Sequence, residues 1–184
     1  MPSPQRISTP KYFLLFKQIL FGLIPALFFL AAPSPCHGLG EISGPLKADR
    51  VMVEKAARRL TLFADGRKLK SYRIALGTHP KGPKVREGDG RTPEGWYVID
   101  SRNSRSNYHL ALHISYPDEL DILRARYLGV SPGSNIMIHG VGDDLGWLDY
   151  INRDWTEGCI AVTNTDIEEI WNLVPDGTPI IIKP

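Results

Sequence analysis

Cysteine is almost missing from this chain. Two residues in 184 carry a thiol, Cys36 and Cys159. That excludes a disulfide framework. An excess of charge is missing too: 22 Lys and Arg against 20 Asp and Glu leave a formal net charge of +2. The charges are scattered and no basic run is interleaved with aromatics, so nucleic acid is not an expected partner. No apolar run reaches the ~20 residues that a comfortable membrane-spanning helix needs. There is no internal repeat. The glycine-rich stretch at residues 88–95 lacks the Gly-Lys-Ser/Thr ending of a phosphate cradle and does not lead from strand into helix. What remains is ordinary for a globular protein: 42% hydrophobic and 23% charged residues, enough chain for one domain and hardly for two.

The N-terminus differs from the rest. Arg6, Lys11 and Lys17 precede an apolar stretch over residues 18–32, followed by small residues. This is the layout of a secretory signal peptide, and a signal-anchor is its alternative. Residues 1–35 are therefore assigned to export and kept out of the fold argument. Residues 36–48 read as a Pro/Gly-rich linker and residues 49–184 as the folded domain. Export places the domain in the periplasm or cell envelope. Pro35 directly before Cys36 fits a lipoprotein signal poorly. Cys36 lies in the linker or is removed, which leaves Cys159 as an unpaired thiol in an exported protein.

From residue 49 the pattern is strand-like. Residues 50–54, 59–63 and 70–76 are short alternating runs, the last two joined by Asp65-Gly66, a hairpin signal. A long loop over residues 77–95 leads to strands at 96–100 and 107–115. In the latter, Leu110, Leu112 and Ile114 share one face, with His109, Ala111 and His113 on the other. Residues 117–127 predict a short helix, 135–139 a short strand, and 167–173 a helix with N-cap candidates among residues 163–166. A β-branched strand closes the chain at 178–182. The expected fold class is mostly β with short helices, a single sandwich or barrel.

The chemistry points to Cys159, set in Thr156-Glu157-Gly158-Cys159-Ile160. A thiol attacks a carbonyl as the thiolate, and a free Cys has a pKa of ~8.5, so it needs a base or a positive neighbour. His139, at the end of an apolar strand and followed by Gly140, is the candidate. Gly158 leaves room beside the thiol, and the N–H groups of Gly158 and Cys159 are candidate oxyanion donors. His109 and His113 lack a third ligand and the spacing for a metal, so no metal is expected. Asp143, Asp144 and Asp149 lie between His139 and Cys159 with nothing to fix them across a cleft as a carboxylate pair. They read as a solvated lid, with Trp147 and Trp155 as lid or core aromatics.

The His139-Gly140 pair, followed at this distance by Trp155-Thr156-Glu157-Gly158-Cys159-Ile160, resembles the signature of the L,D-transpeptidase catalytic domain, or YkuD domain. Gly88-Asp89-Gly90-Arg91-Thr92-Pro93-Glu94-Gly95 is similar to that family's Gly-rich Thr-Pro segment. The resemblance covers residues 49–184. It implies a mostly-β fold and cysteine acyl transfer on peptidoglycan stem peptides without a cofactor. Cys159 would be the nucleophile, His139 the base or thiolate partner, and Thr156, Glu157 and Gly158 the turn that holds the thiol. Gly140, His113 and Trp155 are candidate cleft residues. Two departures stand out: Glu157 replaces a frequent His, and Ala161 replaces a frequent Arg that meets a substrate carboxylate or a loop. The form of the motif looks like a branch that includes proteins releasing a lipoprotein from the wall. Three expectations therefore stand together: a transpeptidase using an amine acceptor, a hydrolase trimming peptidoglycan or releasing a wall-linked protein, and an inactive wall-binding module.

Overall fold

The computed structural model describes residues 46–142 and 152–184. The export segment, Cys36, the acidic stretch with Asp143, Asp144 and Asp149, and Trp147 lie outside the described residues. Among the described residues, eight strands and two helices follow one another: β1 (Arg50–Glu54), β2 (Arg59–Ala64), β3 (Arg67–Arg73), β4 (Gly95–Ser106), β5 (His109–Ile114), α1 (Glu119–Tyr127), β6 (Met137–His139), β7 (Ile160–Ala161), α2 (Asn164–Leu173) and β8 (Pro179–Lys183). Among the described residues no helix is long and apolar enough to cross a membrane.

The β2–β3 hairpin forms as its turn demands. Asp65 and Gly66 both take positive φ, 51° and 72°, which a tight two-residue turn requires and Asp-Gly tolerates. The strands hydrogen-bond in the order β3-β2-β1-β8-β4-β5-β6-β7. Strand β4 is twelve residues long and serves two neighbours. Its first part pairs with β8 and the remainder with β5. Just past β3, Ala75 exchanges both backbone hydrogen bonds with Ala161 of β7, each 2.9 Å. The two ends of the sheet therefore meet, and of the two expected forms the sheet takes the closed one. A closed sheet leaves no bare edge at this seam.

Alternation decides what lies inside. Val51 and Val53, Leu60 and Leu62, Tyr97 and Ile99, Leu112 and Ile114, Ile138, Ile160, and Ile180 and Ile182 are buried in one core. Helix α2 adds Ile167 and Ile170 to the same core. Its N-cap is Thr163, whose hydroxyl accepts from the Asp166 N–H. Helix α1 begins at a reciprocal box in which Asp118 and Asp121 each accept the other's backbone N–H.

Several details differ from the sequence pattern: the strand expected at 70–76 runs over Arg67–Arg73, and the one expected at 135–139 is only Met137–His139. Strand β4 runs on through Arg102-Asn103-Ser104-Arg105-Ser106, a polar run without strand character. Its pairing with β5 holds it, along with Arg102, whose guanidinium caps the Trp171 carbonyl at 2.7 Å. Strand β5 begins at His109 rather than 107, because Asn107 and Tyr108 make the turn. Strand β7 is two residues long, too short to register as periodicity.

Candidate active site

Strands β6 and β7 bring the two motifs together. They run parallel, with Ile138 opposite Ile160 and His139 opposite Ala161. Ile138 and Ile160 point into the core. The strand alternation then sets His139 on the opposite face, and Cys159, one residue before Ile160, continues on that face. The two residues therefore occupy diagonal positions on one face of the sheet.

His139 is only 4% exposed. Its Nδ1 lies 2.6 Å from the Gly140 carbonyl oxygen. A carbonyl only accepts, so Nδ1 carries the proton and Nε2 keeps its lone pair. Burial pushes the imidazole pKa down and the Gly140 bond pulls it back; the balance lies below the usual value. The resting group is thus a neutral base with its free nitrogen fixed. The ring packs against Tyr108, 4.6 Å between centroids, and edge-on against Trp155 at 5.8 Å. Gly140 is required here: a Cβ would lie 2.4 Å from Asn164 Oδ1 and 2.8 Å from the Tyr108 carbonyl. Asn164, at the start of α2, also accepts the Val141 N–H at 2.9 Å and so fixes the chain after the histidine.

The Cys159 Sγ lies 3.4 Å from the Asn135 carbonyl, to which its S–H donates. It opens onto a cavity of about 350 Å³ lined by Lys84, Glu87, Asn135, Ile136 and Glu157 among others. Burial pushes the thiol pKa up, while the Met137 N–H and the charge of Lys84 pull it down; the balance stays above the usual value. The thiol is therefore protonated at rest.

The turn before the thiol is held from both ends. Thr156 Oγ1 donates to the Cys159 carbonyl at 2.7 Å and accepts the Gly158 N–H at 3.2 Å. Of the two amides expected to face an oxyanion, that of Gly158 is thereby already engaged. Gly158 has φ +134°, and a Cβ there would lie 2.6 Å from the Arg91 carbonyl. Asp154 accepts the Leu76 N–H and a forked pair from Arg58, with Nε–Oδ1 2.9 Å and Nη2–Oδ2 2.5 Å. The Thr-Pro segment packs on the same turn: Thr92 is fully buried, and its Oγ1 accepts the Gly77 N–H at 3.3 Å.

Among the expected cleft residues, Trp155 and Gly140 stand beside His139. His113 does not line the Cys159 cavity; its Nδ1 is bound to Asp100 Oδ1 at 2.6 Å. Glu157 is exposed and lines the cavity. Sequence reasoning missed Tyr108, Arg58, Asn164 and Lys84. Lys84 is 4% exposed and its ammonium meets Asp89 Oδ1 at 2.9 Å and the Arg86 carbonyl at 3.1 Å. A lysine in a turn-rich loop carries no signal of burial. The four partners of Asp89, three backbone N–H groups and the Lys84 ammonium, are visible only once the loop is folded.

Comparison with known proteins points to one family. The family model of the L,D-transpeptidase catalytic domain (YkuD) matches residues 48–182. The chain is 34% identical over 108 residues to the putative L,D-transpeptidase YafK of Escherichia coli, covering 58% of this chain and 37% of that protein. It is 28% identical over 135 residues to the putative L,D-transpeptidase YkuD of Bacillus licheniformis, covering 73% of this chain and 66% of that protein. Among solved structures, the helical cell shape determining protein Pgp2 of Campylobacter jejuni superposes with a TM-score of 0.58 at 28% identity, over 74% of this chain and 48% of that one. The chain thus spans little more than a third of YafK's length and about half of Pgp2's.

Proposed function

The chain belongs to the L,D-transpeptidase catalytic domain family, and on that premise we propose that it is an exported cysteine acyltransferase of the cell wall. The observation that carries this reading is that adjacent paired strands carry, on one face, a thiol open to a cavity and a buried imidazole whose Nδ1 is locked and whose Nε2 is left as a base. In the reaction, His139 Nε2 takes the proton from Cys159 Sγ. The thiolate adds to the amide carbonyl that follows the L-centre of a stem-peptide diamino acid, and the Cys159 N–H receives the developing oxyanion. The C–N bond breaks, and the departing D-alanine amine takes the proton back from the imidazolium. The thioester then passes to an amine on an acceptor stem or wall-linked protein, whose proton again leaves through His139. No cofactor takes part in these steps. The segment at residues 1–35 delivers the domain to the periplasm or cell envelope.

A β-lactam of the carbapenem class is the direct probe. Acylation of the full chain is expected to add the drug's mass to the Cys159 peptide, with no adduct in Cys159→Ala. An unmodified wild type would leave only the inactive wall-binding reading. Incubation with muropeptides then separates the acceptors: cross-linked products identify an amine acceptor, and shortened stems alone identify water.

A further inference from the structure

We propose that Lys84 supplies the fixed positive charge against which the Cys159 thiolate forms. The inference rests on reading Cys159 as the reactive thiol and adds a group that the paired motifs do not contain. Lys84 lines the same cavity as Cys159 although its side chain is only 3% exposed. A buried ammonium needs partners, and Lys84 has two: Asp89 Oδ1 and the Arg86 carbonyl. Among the described residues the other buried lysine, Lys55, shows the contrast. Its three N–H groups are all spent, on the Gly82 carbonyl, the Thr92 carbonyl and Glu94, and it serves as a strut. Lys84 has one N–H beyond those two bonds among the described residues, and a cavity shared with the sulfur.

Asp89, paired with the ammonium at 2.9 Å, offsets the charge only in part. Its carboxylate is spread over three backbone donors besides Lys84: the N–H groups of Val85 at 2.8 Å, Arg86 at 3.1 Å and Arg91 at 3.0 Å. These bonds hold the loop that carries Lys84. The other ionisable groups around the thiol do not supply a cation. Glu87 and Glu157 on the cavity rim are exposed carboxylates, Glu87 tied to Ser131 Oγ at 3.0 Å. His139 rests neutral. When the imidazole accepts the thiol proton, both new charges sit in a poorly solvated place, and a permanent cation in the same cavity offsets part of the cost of the negative one. Lys84 keeps all its protons throughout; the proton moves only from Sγ to Nε2.

The test is the pH dependence of Cys159 alkylation by iodoacetamide on the full chain, read on the Cys159 peptide by mass spectrometry because Cys36 is a second thiol. An opposite charge at close range shifts a pKa by about 1–3 units. Lys84→Met is therefore expected to move the alkylation profile to higher pH, with a rate at pH 8 about tenfold lower, and Lys84→Arg to restore most of it. A Lys84→Met profile superimposed on the wild type, with near-UV circular dichroism showing a folded chain, overturns the proposal. Should Lys84→Met not fold, Asp89→Asn decides: freeing the lysine charge moves the profile to lower pH, and an unchanged or raised profile overturns it. If the Lys84 variants show these alkylation shifts while the wild type forms no carbapenem adduct, the role of Lys84 stands and only acyl transfer is overturned.

Discussion

A methyl group at Gly158 has nowhere to go. The backbone there sits at φ +134°, and the added carbon would meet the Arg91 carbonyl at 2.6 Å and Ile136 Cδ1 at 3.2 Å. A backbone carbonyl cannot swing aside as a side-chain end can. Gly158→Ala therefore has to rotate the peptide before Cys159 or push the 88–95 loop outward, and either movement displaces the sulfur. Strain at such a site costs about 1–3 kcal/mol. The expected outcome is a urea midpoint lowered accordingly and carbapenem acylation slowed at least tenfold in the fraction that stays folded. Acylation at the wild-type rate would mean that the turn does not position the thiol. Thr156 acts at the same scale from inside the turn, since its one hydroxyl bridges the Gly158 N–H and the Cys159 carbonyl.

At the scale of elements, the site depends on a loop that is not itself regular structure. Residues 77–95 reach the thiol turn through Thr92 and the Gly77 backbone, and the loop is anchored to β1 by one lysine that follows it. Lys55, 2% exposed, ties the Gly82 and Thr92 carbonyls and Glu94 together. Breaking a buried pair by removing one partner costs about 3–5 kcal/mol, because the other charge is left without compensation. Lys55→Met is expected to lose that much in denaturant unfolding, and Lys55→Met/Glu94→Gln to recover part of it. If the double variant is no more stable than the single, the lysine's carbonyl contacts rather than its ion pair hold the loop. This anchoring also shows where sequence reading stops. The hairpin at Asp65-Gly66, the capped helices and the alternating strands were legible because each follows from local chemistry. The Thr156–Gly158 turn before Cys159 was legible as part of a motif, while the roles of Cys159 and His139 belong to the proposed function. Lys55, Lys84, Arg58 and Tyr108 were not, because each acts on a partner far along the chain and its burial exists only after folding. The polar second half of β4 was illegible for the same reason: its neighbours, not its composition, make it a strand.

Across the whole molecule, closure of the sheet puts an ionisable base under cover, and that couples folding to pH. His139 in the folded state has its pKa pushed below the usual 6.5 by burial, against a smaller upward pull from the Gly140 bond. A group with a depressed folded pKa binds more protons when unfolded. Its contribution to stability is present above pH 6.5 and is lost as pH falls through the folded value. Asp121 has the opposite sign: burial raises its pKa from 3.8, so its effect favours the folded state at acid pH and fades as pH rises. Cys159, with a folded pKa raised from 9.0 by burial, acts only on the alkaline side, where stability declines as pH rises. The wild-type urea midpoint is therefore expected to fall between pH 7.5 and pH 5, and His139→Gln, which has no proton to gain, to fall less steeply over the same interval. Parallel slopes in the two proteins would place the acid sensitivity elsewhere and remove the argument that the resting base is neutral. A shallower slope in His139→Gln, together with an alkylation profile for Cys159 that shifts to higher pH in the same variant, would tie the buried imidazole both to the stability of the closed sheet and to the proton it draws from the thiol.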